Sequence, residues 1–195
     1  MIAAGCLLVF GLCAFFAVTG HIMTQETALA KLINPNETKN AVLRLFTTIG
    51  EAQGVILISA LLLLLPFTRR RIGAPTSVIV ISSWLTNTLV KHFFARARPV
   101  GKLLSVGGFS FPSGHAMNNM ALYLSVMLLL IPICKTRTQK TAVILICGLM
   151  PLIIGFSRVY FNVHYISDVM GGWCLGAALA LFGTEINFTT NEKKI

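Results

Sequence analysis

Acidic side chains are scarce in this sequence. Of 195 residues only six are Asp or Glu, against 16 Lys and Arg, and Asp168 is the one aspartate. No carboxylate cluster is available to hold magnesium, so chemistry here is expected to need no metal and no other cofactor. Cysteine is sparse too: Cys6 and Cys13 lie in the first apolar run, and Cys134, Cys147 and Cys174 in or beside later ones. The total is odd and no pair has metal-ligand spacing, which leaves membrane packing as their role. Internal repeats, low-complexity tracts and a second soluble domain are also missing, so residues 1–195 read as a single domain.

Apolar residues are abundant. A 55% hydrophobic content with 11% charged residues and a mean hydropathy of +0.80 excludes an ordinary soluble domain. Apolar stretches run from Ala3 to Gly20, Gly54 to Phe67, Ala74 to Phe94, Gly114 to Cys134, Thr141 to Phe156 and Tyr165 to Gly183. A hydrocarbon core about 30 Å thick takes about 20 helical residues. The second stretch reaches that length if extended back through Thr48 and Gly50, with Glu51 and Gln53 at the interface, and the fifth if it continues into Ser157 and Arg158. The expected fold is all-α, an integral membrane six-helix bundle. The first stretch has no basic leader and no clear small-residue cleavage site, so it is read as a retained helix rather than a signal peptide. Between the first two spans, Asn34-Pro35-Asn36 signals a turn. Leu29, Leu32 and Ile33 before it, and Val42, Leu43, Leu45 and Phe46 after it, mark two short interfacial amphipathic helices.

The chemistry starts at His164 and Asp168, four residues apart at the entrance to the last apolar stretch. That spacing is about one helical turn, so the carboxylate can hold one imidazole nitrogen and leave the other free to attack an electrophile. Arg158 precedes the pair and supplies a fixed cation for an oxyanion. Two more clusters stand upstream: Lys91, then Arg98-Pro99 after six intervening residues, and Pro112-Ser113-Gly114-His115.

Together these three segments resemble the tripartite signature of the type 2 phosphatidic acid phosphatase superfamily, matching every defining position in order and spacing from Lys91 to Asp168. The resemblance implies a phosphatase/haloperoxidase-like core. It further implies that His164 attacks phosphorus to form a phosphohistidine, that Asp168 orients His164, and that His115 protonates the leaving oxygen and then activates water. Lys91, Arg98, Arg158, Ser113 and the Gly114 amide would bind the phosphoryl oxygens. Pro112-Ser113-Gly114 also reads as a helix start, whose free N–H groups favour an anion.

Six spans would put all three segments on one membrane face. The opposite face then carries Arg69-Arg70-Arg71, the turn from Lys135 to Lys140, and Lys193 and Lys194. The 16 basic residues divide eight and eight between the faces, but the acid-free short loops favour the cytoplasm, which leaves the site extracytoplasmic. The net charge of +10 thus splits between an anchoring face and an anion site, and nucleic acid is not an expected partner. The expected partners are the bilayer and a membrane lipid phosphate. Undecaprenyl diphosphate is the first choice and phosphatidylglycerophosphate the second, ahead of phosphatidate and lipid A phosphate, by family analogy. A lipid-to-lipid phosphotransferase and a non-catalytic lipid-binding or transport protein are the alternatives.

The remaining polar residues read as structural. His21 and His92 match no motif position, and Arg96 and Lys102 read as headgroup or solvent contacts, with substrate within reach of either. Ser82, Ser83, Thr86, Asn87 and Thr88 read as interhelical hydrogen bonding, and the pair Gly172 and Gly176 as close helix packing.

Overall fold

Helix boundaries in this chain sit where its capping chemistry puts them. The computed structural model describes residues 1–34, 36 and 39–192, the stretch 187–192 as backbone only. Pro35 of the expected turn, and Lys193 and Lys194, lie outside the described residues. Helix α1 (Ile2–Thr19) stops at Gly20, whose φ of 67° is the left-handed conformation that ends helices. After α2 (Met23–Ile33), the Asn40 side chain starts α3 (Ala41–Ile49) by accepting from the Val42 and Leu43 amides at 3.0 and 3.1 Å. Helix α4 (Ala52–Leu64) is followed by a π-helical turn, Arg69–Gly73, that runs directly into α5 (Ala74–Phe94). Ser113 caps α6 (Gly114–Leu130), which ends in a 3₁₀ turn, Ile131–Ile133. A Thr136/Gln139 capping box opens α7 (Arg137–Tyr160), and α8 (Ile166–Glu192) completes the chain. The described residues contain no strand.

The described residues form eight α-helices, where the sequence suggested six spans and two short interfacial helices between the first two. Four are long and apolar enough to cross a membrane: α1, α6 with its 3₁₀ turn, α7 and α8. The expected second span is broken. Helix α3 ends at Ile49 and α4 starts at Ala52, with a bend of 53° between them, and the pair counts as a fifth crossing if taken as one. Glu51, extended at ψ 167°, takes the N-cap position of α4. Helix α5 has 21 residues, but Ser82, Ser83, Thr86, Asn87, Thr88 and Lys91 dilute its apolar character. The protein is integral to a membrane. Large apolar side chains such as Leu8, Leu57, Leu85 and Ile146 are exposed on its helices, as lipid-facing surfaces require.

Helix α8 is the centre of the bundle, packed most extensively on α6 and α1. A Cβ at Gly172 would stand 2.7 Å from the Ser113 carbonyl oxygen, and one at Gly176 would clash with that of Met117. The two glycines therefore let the backbones of α6 and α8 touch, as the small-residue spacing predicts. The polar run on α5 is partly interhelical: Ser83 Oγ donates to Asn118 Oδ1 at 2.7 Å and Asn87 Nδ2 to the Pro112 carbonyl at 3.4 Å. Thr88 instead bonds the Trp84 carbonyl of its own helix. Helix α3 packs on α7, so the segment read as interfacial is partly built into the bundle.

Candidate active site

Three chain segments meet beside the start of α8. The first is the loop that leaves α5 at Ala95, whose φ of 44° ends the helix. The second is the start of α6, tied to α8 by the Ser113 amide, which donates to the Asp168 carbonyl at 2.9 Å. The third is the turn from Phe161 to Tyr165 that joins α7 to α8. The convergence expected from topology is therefore present in the packing.

His164 is buried at the junction. Arg98 Nη1 lies 3.0 Å from its Nε2, and a guanidinium can only donate, so Nε2 is the nitrogen with the lone pair. The proton then sits on Nδ1, shared between Asp168 Oδ2 at 3.4 Å and Ser110 Oγ at 3.3 Å. Burial pushes the imidazole down to about 3, against the hydrogen bond and charge of Asp168, which raise it. The ring is therefore neutral across the physiological range, and its lone pair is available.

Arg98 is the cation in contact with that lone pair. Arg98 is fixed by donating to the Val163 carbonyl at 2.8 Å and to the carbonyls of Gly107 and Gly108. Burial lowers its pKa and Asp168 opposes the shift, yet a guanidinium remains charged. Lys91 Nζ donates to the Phe109 carbonyl at 2.7 Å. Arg158 is 2% exposed, with Nη1 donating to Thr47 Oγ1 at 2.5 Å and Nε buried without a partner. His115 Nε2 is likewise buried without a partner. This ring lies in the wall of a cavity of about 300 Å³, bounded by the start of α4, by Trp84, Asn87 and Thr88 of α5, and by Gly114 and Asn118 of α6.

The PAP2 superfamily model matches residues 73–192, which contain every one of these motif positions. The chain belongs to the PAP2 superfamily. It is 37% identical over 97 residues to phosphatidylglycerophosphatase B of Bacillus subtilis, an alignment covering 49% of this chain and 48% of that one. The chain thus spans about half the length of that relative. It is 28% identical over 176 residues to an undecaprenyl-diphosphatase of Sulfolobus acidocaldarius, covering 86% and 81% of the two chains. Its structure superposes on the crystal structure of a transmembrane PAP2-type phosphatidylglycerolphosphate phosphatase from Bacillus subtilis with a TM-score of 0.83, at 25% identity and 96% coverage of both chains. Aquifex aeolicus LpxE shares the fold, with a TM-score of 0.63 at 21% identity, over 82% of this chain and 94% of that one.

The PAP2 signature residues are not all joined in the same way. Arg98 and Asp168 each hydrogen-bond His164 directly, one at each of its two ring nitrogens. Lys91 reaches the group through the backbone at Phe109 and Ser110, and Ser113 through its amide. Ser113 is fully buried, with its hydroxyl engaged as the cap of α6.

One residue beside the PAP2 signature is a correction. Arg96, read from sequence as a headgroup or solvent contact, is 7% exposed and points inward. Its Nη1 donates to Asp168 Oδ1 at 2.6 Å and to Ser167 Oγ at 2.8 Å, and its Nη2 to Glu26 Oε2 at 2.9 Å. Tyr165 stacks on the guanidinium, 4.2 Å from ring centroid to Cζ. Glu26 on α2 also accepts from the Ser167 amide at 2.6 Å, and Asp168 Oδ2 accepts from Ser110 Oγ at 2.5 Å and from the Tyr165 amide at 2.9 Å. Asp168 is thus held from four sides. Glu26, Arg96 and Ser110 belong to no motif, and the one available signal was the scarcity of acids beside membrane helices, which makes Glu26 a candidate for a buried partner.

Proposed function

We propose that this chain, as one domain over residues 1–195 with six membrane crossings, dephosphorylates a membrane lipid phosphate through a phosphohistidine on His164. The crossings would be α1, the bent α3–α4 pair, α5, α6, α7 and α8. The observation that carries this reading is the bonding of one imidazole: Nδ1 held towards Asp168 and Ser110, Nε2 carrying its lone pair towards the fixed Arg98 guanidinium. Such a ring is an oriented nucleophile at neutral pH.

In the first step the Nε2–P bond forms as the bond from phosphorus to the leaving oxygen breaks. The phosphoryl oxygens take over the hydrogen bond that Arg98 Nη1 gives to Nε2, and Lys91, Arg98, Arg158, Ser113 and the Gly114 amide spread the equatorial charge. The unpartnered Arg158 Nε is a donor suited to that task. His115, as imidazolium stabilised by the bound phosphate, gives its proton to the departing oxygen. In the second step His115 takes a proton from water as the water oxygen bonds phosphorus and the Nε2–P bond breaks, releasing inorganic phosphate. Asp168 stabilises the positive ring throughout. No step draws on a metal.

The cavity beside His115 supports entry of a lipid from the side, because exposed Trp84 and Thr88 of α5 stand in its wall. Undecaprenyl diphosphate is the preferred substrate and phosphatidylglycerophosphate the second, in line with the relatives of those names and their coverage. The site faces away from the cytoplasm, because the acid-free basic loops lie at the other end. The test is phosphate release by the purified protein in detergent from a panel of lipid phosphates, with EDTA, with vanadate and with His164→Ala as the blank. Turnover with water as sole acceptor, resistant to EDTA and blocked by vanadate, is expected. An absolute need for magnesium, or release only when a second lipid is added, would replace this reading with a metal-dependent hydrolase or a phosphotransferase.

A further inference from the structure

A second cavity lies at the far end of the bundle. It is a groove of about 540 Å³ between α5 and α8, with Arg70 at its mouth and Ala74, Val78, Ser82, Leu179 and Phe182 among its walls. Helix α5 has 21 residues, about 31 Å at the helical rise, and its other end carries Lys91. The mouth of the groove is therefore on the membrane face opposite the candidate active site.

The groove has the dimensions of one acyl chain, with a cationic side chain at its mouth. From Ala74 to Ser82 it descends about 12 Å along α5, and the guanidinium stands above that, so its depth is close to the ~15 Å hydrocarbon half of a bilayer. Val78 and Phe182, 64% and 46% exposed, offer apolar walls to a chain. The mouth is fixed rather than loose. Ile72, 2% exposed, anchors the π-helical turn, and Thr68 Oγ1 ties its entry to the Leu62 carbonyl at 2.8 Å, which leaves Arg69, Arg70 and Arg71 facing outward. None of these three guanidiniums forms an ion pair among the described residues.

We propose that this groove holds an anionic phospholipid of the leaflet opposite the active site, its phosphate on Arg70 and one acyl chain between α5 and α8. A zwitterionic lipid brings a phosphate but no net negative charge to offset the three arginines. A second copy packed by two-fold symmetry on this face would set one arginine triplet against another, which is repulsive. Arg70 reaches both the apolar slot and the headgroup layer, so charge and shape select the same occupant.

The test is photo-crosslinking of the full chain in phosphatidylcholine nanodiscs doped with phosphatidylserine bearing a diazirine on one acyl chain, compared with the same label on phosphatidylcholine. Phosphatidylserine is neither candidate substrate nor candidate product, so occupancy of the active site does not enter the reading. Adducts mapped by peptide mass spectrometry are expected at Val78, Ser82 and Phe182, enriched for the serine lipid. Arg70→Gln should cut that yield about fivefold while adducts at lipid-facing Leu8 stay constant; Arg70→Lys should retain most of it. Phosphate release by Arg70→Gln should match wild type, which shows the variant folded. Equal yields from the two lipids, a yield unchanged by Arg70→Gln, or cross-linking of this face to a second copy would each overturn the proposal.

Discussion

Replacing Arg96 by methionine separates two descriptions of this protein sharply. As a headgroup contact, Arg96 would tolerate the change within about 0.5 kcal/mol, the usual range for an exposed site. In the observed network its guanidinium bridges Asp168 at 2.6 Å and Glu26 at 2.9 Å, with all three side chains at 6% exposure or less. Methionine fills much of the volume but leaves two buried carboxylates without their common cation. Breaking a buried ion pair from one side costs about 3–5 kcal/mol. For a chain of this size that is a fall of roughly 6–20 °C in the unfolding midpoint. The assay is thermal unfolding in mild detergent, followed by intrinsic fluorescence. Adding Glu26→Gln to Arg96→Met removes one of the stranded charges and should return about 1–2 kcal/mol of the loss, a coupling that only residues in one network show. Glutamine retains an oxygen acceptor for the Ser167 amide, so that bond need not be lost with the charge. A midpoint within about 2 °C of wild type for the single variant, or simple additivity in the double one, would refute the buried network.

Three further outcomes follow from the same geometry. His115→Ala should be severe for a lipid phosphate with a poor alkoxide leaving group and mild for an activated aryl phosphate, whereas His164→Ala should abolish turnover of both and Asp168→Asn should leave a small residue of activity; steady-state kinetics on the two substrate types checks this. His164 has a folded pKa of about 3, below its unfolded value near 6.5, so its contribution to stability is present above pH 6.5 and is lost as the pH falls towards 3. Relative to His164→Asn, wild type should therefore lose about 2 kcal/mol more on acidification from pH 7 to pH 5, read as a midpoint difference. Finally, with the native cysteines replaced, Ser105→Cys should react with an impermeant thiol reagent in intact cells and Thr138→Cys only after disruption, and the reverse pattern would put the site in the cytoplasm.

Much of this protein is legible without coordinates because its strongest signals are local. Three motifs at fixed spacing, apolar runs of membrane length, and the helix start at Ser113 each depend on residues near one another in sequence. The limits of α5 follow from its apolar run, and the contact of α6 with α8 from Gly172 and Gly176. The break between α3 and α4 was harder to read. An apolar run shows that a segment can be helical, but whether it stays straight depends on what packs against it, and α3 turns away to lie on α7.

The sequence by itself determined the membrane setting, the family and the identity of the chemical groups, because composition and motif spacing are properties of the chain alone. Tertiary structure decided which nitrogen of His164 carries the lone pair, since that depends on Arg98 and Asp168 approaching from opposite sides of the ring. It also decided the fate of Arg96, which lies two residues from Arg98 yet points into the bundle. Its partners, Glu26 and Asp168, are 70 and 72 residues away in sequence. No local pattern encodes a pairing at that separation. The cost of burying a charge is met only when the folded chain brings its counter-charges together.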